Sequence, residues 1–439
     1  MAKVVKFGGS SLADAKQFQK VGDIIRADAE RRYVVPSAPG KRFSKDTKVT
    51  DLLYQCYNLA KEGKDFGDPF REIRSRYNEI IQGLALDYSL DEEFAKIEEE
   101  LKTNPSPDYT ASRGEFLNGH VMAAYLGFTF LDPFEMIFFD ENGALDEDRT
   151  KKAVAESLSA IPNAVIPGFY GQGTDGRVKT FSRGGSDITG SIIAGAIRAE
   201  VYENWTDVSG CLAADPRVVP DPVTIRTITY KELRELSYMG ASVLHEDAIF
   251  PVRHEGIPIN IRNTNAPEEP GTWIVESTAQ KTGYTITGIA GKKDFCAVLI
   301  NKDMMNTEVG FCRKVLQAFE ESGISIEHMP SGIDTMTVVV HESEFIDHEQ
   351  QVVSAVHRLA EPDSIEIESD LALIAVVGRG MKSQRGTAGR IFSALAHAHV
   401  NVRMIDQGSS ELNIIIGVEN RDFEKAIRAI YSIFILTQL

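Results

Sequence analysis

The chain has 439 residues, 43% of them hydrophobic and 25% charged, and 47 basic against 64 acidic side chains leave a net charge of −17. That length calls for two or three domains, and the composition excludes a disordered chain. The acidic balance argues against nucleic acid or an anionic membrane as partner, and no run reaches the roughly 18 apolar residues of a membrane span.

Lys3-Val4-Val5 reads as a buried strand, and Phe18, Val21, Ile24 and Ile25 mark a helix within Leu12 to Ile25. Between them stands Lys6-Phe7-Gly8-Gly9-Ser10-Ser11. Glycine lets backbone approach a ligand, a helix N-terminus favours an anion, and Lys6 adds a mobile cation. A plain tight turn uses the same residues. Tyr33-Val34-Val35 is a second strand, ending in the loop Pro36-Ser37-Ala38-Pro39-Gly40. The basic stretch through Lys41, Arg42, Lys45 and Lys48 reads either as a solvated connection or as a mobile lid near phosphates. Residues 60–103, polar and periodic, read as a solvated helical pair without a site.

Ser112-Arg113-Gly114-Glu115 precedes an apolar helix, and Ser112 with Glu115 fits a capping box. Apolar runs at 136–139, 164–167 and 201–205 alternate with helical patterns. That rhythm predicts an α/β fold, a mostly parallel open sheet with helices on both faces. Phe181-Ser182-Arg183-Gly184-Gly185-Ser186-Asp187 is a second glycine turn opening a helix. In such a sheet ligands bind at the carboxyl ends of strands, so both glycine turns are expected to face one cleft. Thr206-Asp207-Val208 leaves a further strand, and Pro258 places the strand Ile257 to Asn263 near an edge. The loop around Asn265 to Gly271 ends the first unit.

The remainder repeats itself. Gly310, Val315 and Ile326 recur as Gly386, Ile391 and Val402, each 76 residues on. Each copy reads as strand, glycine-bearing turn, helix, strand, turn, strand. Gly378-Arg379-Gly380 resembles the start of a dinucleotide fingerprint, but Ser383 stands where the third glycine is required. Cys56, Cys211, Cys296 and Cys312 form no metal-type pair and read as free buried thiols of a reducing compartment. The chain enters a strand almost at once, with no leader, so a cytoplasmic protein is expected.

Lys6 with Gly8-Gly9, and Arg183 with Gly184-Gly185, supply two anion-binding turns. A nucleotide phosphate chain and a carboxylate or phosphate acceptor suit them. The P-loop pattern is absent. Phosphoryl transfer needs chiefly positioning and neutralised charge. A carboxylate acceptor is already ionised at pH 7, which fits the lack of an evident His–carboxylate pair. Asp187 would then orient Lys6 or hold a substrate ammonium, and Arg183 would grip a carboxylate with its planar fork.

With those motifs the chain resembles an aspartate kinase. The resemblance rests on Lys6 to Ser11, Ser182 to Asp187, Thr206-Asp207-Val208 with Asp215-Pro216-Arg217, and Ser237 to Ala241 with Val243-Leu244-His245. It covers the whole chain, and the repeat resembles tandem ACT domains of ferredoxin-like α+β type. It implies an amino-acid-kinase domain over 1–275 and ACT domains over 285–365 and 366–439, with strands exchanged between the two. The implied reaction is ATP + L-aspartate → ADP + 4-phospho-L-aspartate, with Mg²⁺ carried by ATP rather than by a protein metal site. By that likeness Lys6 and Asp187 are catalytic, and Ser37, Thr50, Glu115, Arg183 and Ser186 bind aspartate. Lys6, Gly8, Gly9, Ser10, Thr206, Asp207, Leu212 and Arg217 would hold the nucleotide. Some relatives carry lysine where this chain has Ser242. The ACT likeness implies a homodimer or homotetramer and inhibition by lysine, threonine or both. Its candidate effector contacts are Met305, Phe311, Ser325, Ile326, Ser331 and Asp334, with packing as the alternative for Phe311 and Ile326. Kinases of acetylglutamate, glutamate or nucleoside monophosphates, and a non-catalytic amino-acid sensor, remain rival readings.

Overall fold

The computed structural model describes residues 2–182, 184–241, 244, 248–278 and 285–436. Arg183, Ser242, Val243 and His245 therefore lie outside the described residues. Two compact units share the chain. The first takes Met1–Cys211, Thr224–Lys231 and Val243–Thr278; the second takes Leu212–Val223, Glu232–Ser242 and Ala279–Leu439. The linear division expected from sequence places 212–223 and 232–242 in the catalytic domain. The structure places both segments in the C-terminal unit.

The first unit opens with β1 (Lys3–Phe7), α1 (Ala15–Arg26) and β2 (Arg31–Pro36). Four helices follow: α2 (Val49–Lys61), α3 (Gly67–Gly83), α4 (Asp91–Thr103) and α5 (Pro107–Leu126). Next come β3 (Thr129–Phe130), α6 (Glu147–Leu158), β4 (Ala164–Val165), the hairpin β5 (Tyr170–Gln172) and β6 (Val178–Thr180), α7 (Gly185–Ile197) and β7 (Tyr202–Thr206). It closes with β8 (Thr227–Thr229), the start of α8 (Tyr230–Tyr238), α9 (Phe250–His254), β9 (Ile259–Asn263) and β10 (Thr272–Val275).

Eight of these strands form one sheet in the order β3-β4-β2-β1-β7-β9-β10-β8. Every neighbouring pair is parallel except β9 with β10. Val4, Val5, Val34 and Val35 are fully buried, as central parallel strands covered on both faces must be. Phe18 and Val21 of α1, Tyr77 of α3, Phe94 of α4 and Val121 of α5 share one apolar cluster with Val5 and Val34. Helix α7 packs against β1, β2 and β7.

Four local expectations fail for identifiable reasons. Helix α1 starts after Asp14, whose carboxylate accepts the Gln17 N–H at 3.0 Å, and Gly9–Leu12 forms a separate 3-10 turn. Ser112 is not a cap: α5 begins at Pro107 behind Ser106, and the Ser112 hydroxyl donates to the Tyr109 carbonyl within the helix. Residues 136–139 make only isolated bridges, to Gln172 and Leu145. Pro258 does not mark an edge; it precedes β9, which runs inside the sheet between β7 and β10.

The second unit contains β11 (Gly288–Asn301), α10 (Phe311–Glu321), β12 (Thr335–His341), α11 (Glu342–Phe345) and α12 (Glu349–Ala360). It continues with β13 (Ser364–Val377), α13 (Thr387–His397), β14 (Met404–Asp406), β15 (Asn413–Glu419) and α14 (Phe423–Tyr431). One antiparallel sheet runs β12-β11-β13-β15-β14. Strands β11 and β13 are 14 residues each and pair from Gly288↔Val377 to Asn301↔Ser364, so each serves both copies of the repeat. The expected boundary at 365–366 falls inside β13. The copies also differ: the strand after the helix is β14 in the second, whereas the first makes isolated bridges, His328 with Val339 and Ser331 with Met336. Cys56, Cys211 and Cys296 are buried free thiols, pushed up to about 12 by burial, whereas Cys312 is exposed.

Candidate active site

The site starts where β1 ends. Its neighbours β2 and β7 run parallel to it, so Gly8 to Ser11, Ser37 to Gly40 and Thr206-Asp207 all leave the same edge of the sheet. The Gly8 N–H donates to the Trp205 carbonyl at 2.9 Å and the Ser37 N–H to the Phe7 carbonyl at 3.0 Å. Gly8 therefore has no N–H left for a phosphate. The next two N–H groups, of Gly9 and Ser10, have no acceptor among the described residues.

Gly9 is the glycine that geometry requires. A Cβ there would stand 2.8 Å from the Ala38 carbonyl oxygen and 3.2 Å from the Gly40 nitrogen, both backbone. At Gly8 the nearest atoms are 3.6 Å away, and one of them is Lys6 Nζ. Gly9→Ala should therefore lower Tm by several degrees more than Gly8→Ala; equal melting temperatures in a thermal scan would contradict the close approach.

Lys6 joins the two glycine turns. Its Nζ lies 2.6 Å from Asp187 Oδ1 in the first turn of α7. Asn204 Nδ2 donates to the same oxygen at 2.8 Å, from the β7 position paired with Lys6. The Tyr202 hydroxyl donates to the Asp187 carbonyl at 3.0 Å. The expected convergence of the turns is thus observed, although the second follows the β5–β6 hairpin rather than a strand of the main sheet. Gly184 caps α7 at φ 59°. Arg183, the expected carboxylate ligand, lies outside the described residues. Ser186 is buried against Gly168, where a Cβ would meet its Oγ at 2.5 Å.

Glu115 projects from α5 toward the β2 edge. Its Oε1 accepts the Ala38 N–H at 3.1 Å, while its buried Oε2 has no partner. Burial pushes its carboxyl up to about 7; the Ala38 N–H and the Arg113 and Lys6 charges oppose this. One turn on, Asn118 Nδ2 donates to the Ser37 carbonyl at 2.7 Å, and its buried Oδ1 is also unpartnered. Two orphaned oxygens on one helix face are a place for donors on a ligand. Thr50 sits half-buried in the first turn of α2.

The sequence did not point to Asn118, since an amide inside an apolar helix carries no periodic signal. It also missed Phe169, held at φ 86° with its ring and Cα against Gly185. Thr206 ends β7 with its hydroxyl donating to Asp207 at 3.3 Å. Leu212 and Arg217 belong to the second unit, where Arg217 is exposed and paired with Asp215 at 2.6 Å. Of the effector candidates, Met305 and Phe311 point into the apolar core of the second unit and Ile326 packs against it. Ser325, Ser331 and Asp334 are exposed. The Asp334 carboxylate accepts the Met304 N–H at 3.0 Å.

No helix among the described residues is long and apolar enough to cross a membrane. The chain matches the amino acid kinase family model over residues 1–263 and an ACT domain model over 374–434. It is 39% identical to Aspartokinase 3 of Bacillus subtilis, over 98% of both chains. The crystal structure of Clostridium acetobutylicum aspartate kinase shares 52% identity and superposes with a TM-score of 0.89, covering 98% of this chain and 99% of that one. Escherichia coli aspartokinase III, at 24% identity and a TM-score of 0.75 over 98% and 99%, shares the fold. With two glycine turns joined by a lysine–aspartate pair and a family model that matches well over half its length, the chain belongs to the amino acid kinase family and, within it, to the aspartokinases.

Proposed function

We propose that this chain transfers the γ-phosphoryl group of MgATP to the side-chain carboxylate of L-aspartate, using Lys6, Glu115 and the two glycine turns. The observation that carries this reading is the 2.6 Å Lys6–Asp187 pair, which ties the turns together across about 180 residues of sequence. Lys6, directly beneath Gly8, neutralises charge on the phosphoryl oxygens as it passes between nucleotide and acceptor. Asp187 and Asn204 fix the ammonium; Asp187 takes no proton, because the acceptor is an ionised carboxylate. The free N–H groups of Gly9 and Ser10 meet phosphate oxygens. Glu115 Oε2 receives the substrate ammonium, Arg183 grips its α-carboxylate, and Ser37, Thr50 and Ser186 line the acceptor.

A kinase using ATP implies a divalent ion. Among the described residues no three His, Cys, Asp or Glu side chains converge; the ion is assigned in this reading to the nucleotide phosphates. Mg²⁺ there would neutralise phosphate charge. Thr206, Asp207, Leu212 and Arg217 are assigned to the nucleotide.

We infer regulation by an end-product amino acid from the paired ACT unit, with lysine, threonine or both as effector; a homodimer or homotetramer is the proposed assembly and the cytoplasm the proposed location. Escherichia coli aspartokinase III was solved with aspartate and ADP, and also with lysine and aspartate. In this chain, Ser325, Ser331 and Asp334 remain candidate side-chain contacts, whereas Met305 and Phe311 reach an effector only through their backbone. ADP release from MgATP tests the whole reading, with L-aspartate set against glutamate, acetylglutamate and a nucleoside monophosphate. Turnover with aspartate, reduced by lysine or threonine, is expected. Aspartate binding without ADP release would favour the amino-acid sensor, and background rates with aspartate would end the kinase reading.

A further inference from the structure

The segment between β2 and α2 does not behave as its composition suggests. Four basic residues and a proline-glycine turn describe a solvated connection, yet Gly40, Asp46 and Thr47 all meet a single buried side chain. Arg76 of α3 is 2% exposed. Its Nη1 donates to the Gly40 carbonyl at 3.0 Å, and its Nη2 to Asp46 Oδ2 at 2.7 Å and the Thr47 carbonyl at 3.2 Å. Both ends of residues 40–47 are thus held by one guanidinium. Arg42 folds back onto the same Asp46, with Nε and Nη2 each at 3.0 Å, and reaches Glu79 of α3 at 3.0 Å.

From Gly40 the chain of contacts enters the phosphate turn. The Gly40 N–H donates to the Gly9 carbonyl at 2.8 Å, and a Cβ on Gly40 would stand 2.6 Å from the Gly9 carbonyl carbon. Two residues back, Ala38 holds Glu115 Oε1 and Ser37 takes Asn118. Arg76 therefore lies behind both the phosphate turn and the acceptor loop, without belonging to either.

An apolar residue would fill this place more cheaply. Arg76 shares the buried face of α3 with Ile73, Tyr77 and Ile80, and a buried ion pair is often no more stabilising than well-packed hydrophobic side chains of similar volume. A guanidinium does what they cannot: its fixed fork satisfies a carboxylate and two carbonyls at set angles.

We propose that Arg76 is a positioning residue that, with Asp46, clamps the 40–48 segment against Gly9 and so sets the register between the phosphate turn and the aspartate loop. The proposal rests on the phosphoryl-transfer reading of the site. Misplacement of reacting groups by about 1 Å costs on the order of 100-fold in rate.

The test uses Arg76→Lys and Asp46→Asn, which keep size and polarity. Trypsin reads the clamp directly, because Lys41, Arg42, Lys45 and Lys48 are its cleavage sites. Wild type should resist cutting there. Each variant should be cut within 41–48 and lose about 10- to 100-fold in kcat/KM for aspartate. The double variant should be no worse than either single one. The proposal is overturned if the variants keep kcat/KM within threefold of wild type, or if activity falls only in step with the folded fraction while the segment stays resistant. Trypsin cleavage needs no turnover, so an inactive wild type would sink the kinase reading and leave the clamp to be judged on proteolysis alone.

Discussion

Lys6→Ala is expected to lower kcat by about 10³-fold while the protein still folds. The Lys6 ammonium is buried beneath the first glycine turn, is fixed by Asp187, and stands 3.6 Å from where a Gly8 Cβ would be. Removing it takes charge from the position where the transferring phosphoryl oxygens develop theirs. Asp187 survives the change, because Asn204 Nδ2 still donates to it. A shared loss of fold and activity is therefore not expected. Steady-state ADP release together with a thermal melt checks this; near-normal kcat would remove Lys6 from catalysis.

Glu115→Gln should have the next largest effect, and it should act in opposite directions on activity and stability. The wild-type carboxyl is pushed up to about 7 by burial. A carboxyl raised in the folded state binds more protons there than when unfolded. The group therefore lowers stability as pH rises from about 4.5 through about 7, by on the order of 2–3 kcal/mol once fully ionised. Glutamine removes that charge, so the variant should melt higher than wild type at pH 8, with the difference shrinking through about pH 5 and vanishing below about pH 4. Aspartate binding should suffer, because the amide offers the substrate ammonium no negative charge. A fall of about 10- to 100-fold in kcat/KM for aspartate is expected. In wild type that ratio should decline below pH 7 as Glu115 protonates, and the variant should lose this acid limb. A variant that kept the limb would place the titration on another group.

The part of the site legible in sequence was the part fixed by local rules. The pairs Gly8-Gly9 and Gly184-Gly185 announce themselves as turns, with Lys6 and Asp187 beside them; at Gly9 and Gly185 a Cβ would clash, and Gly184 takes a positive φ. The parallel sheet was readable from the alternation of apolar runs with helical patterns, and the full burial of Val4-Val5 and Val34-Val35 agrees with it. What escaped depends on distant packing. Arg76 looks like any arginine in a polar helix until Ile73, Tyr77 and Ile80 are seen to share its buried face. Asn118 is meaningful only because Ser37 arrives from β2. Ser112 and Glu115 have capping-box spacing, yet Ser106 and Pro107 start the helix earlier and leave Glu115 free to face Ala38. Met305 and Phe311 took an effector role from resemblance, and their side chains are core.

The interleaving of the two units bears on how this protein can be taken apart. Segments 212–223 and 232–242 follow directly on the strands that carry Thr206 and Thr229, yet they fold with the C-terminal unit. Glu232 is fully buried there, accepting the Thr287 hydroxyl and the Arg379 N–H and guanidinium. The Tyr431 hydroxyl accepts the Val223 N–H, and Asn413 Nδ2 donates to Glu235. A scission after Thr278 would leave those groups, including a buried carboxylate, stripped of their partners. No single cut in the chain yields a catalytic half and a sensing half that are each whole. Separating them calls for redesign of two internal segments, or for co-expression of fragments that reassemble.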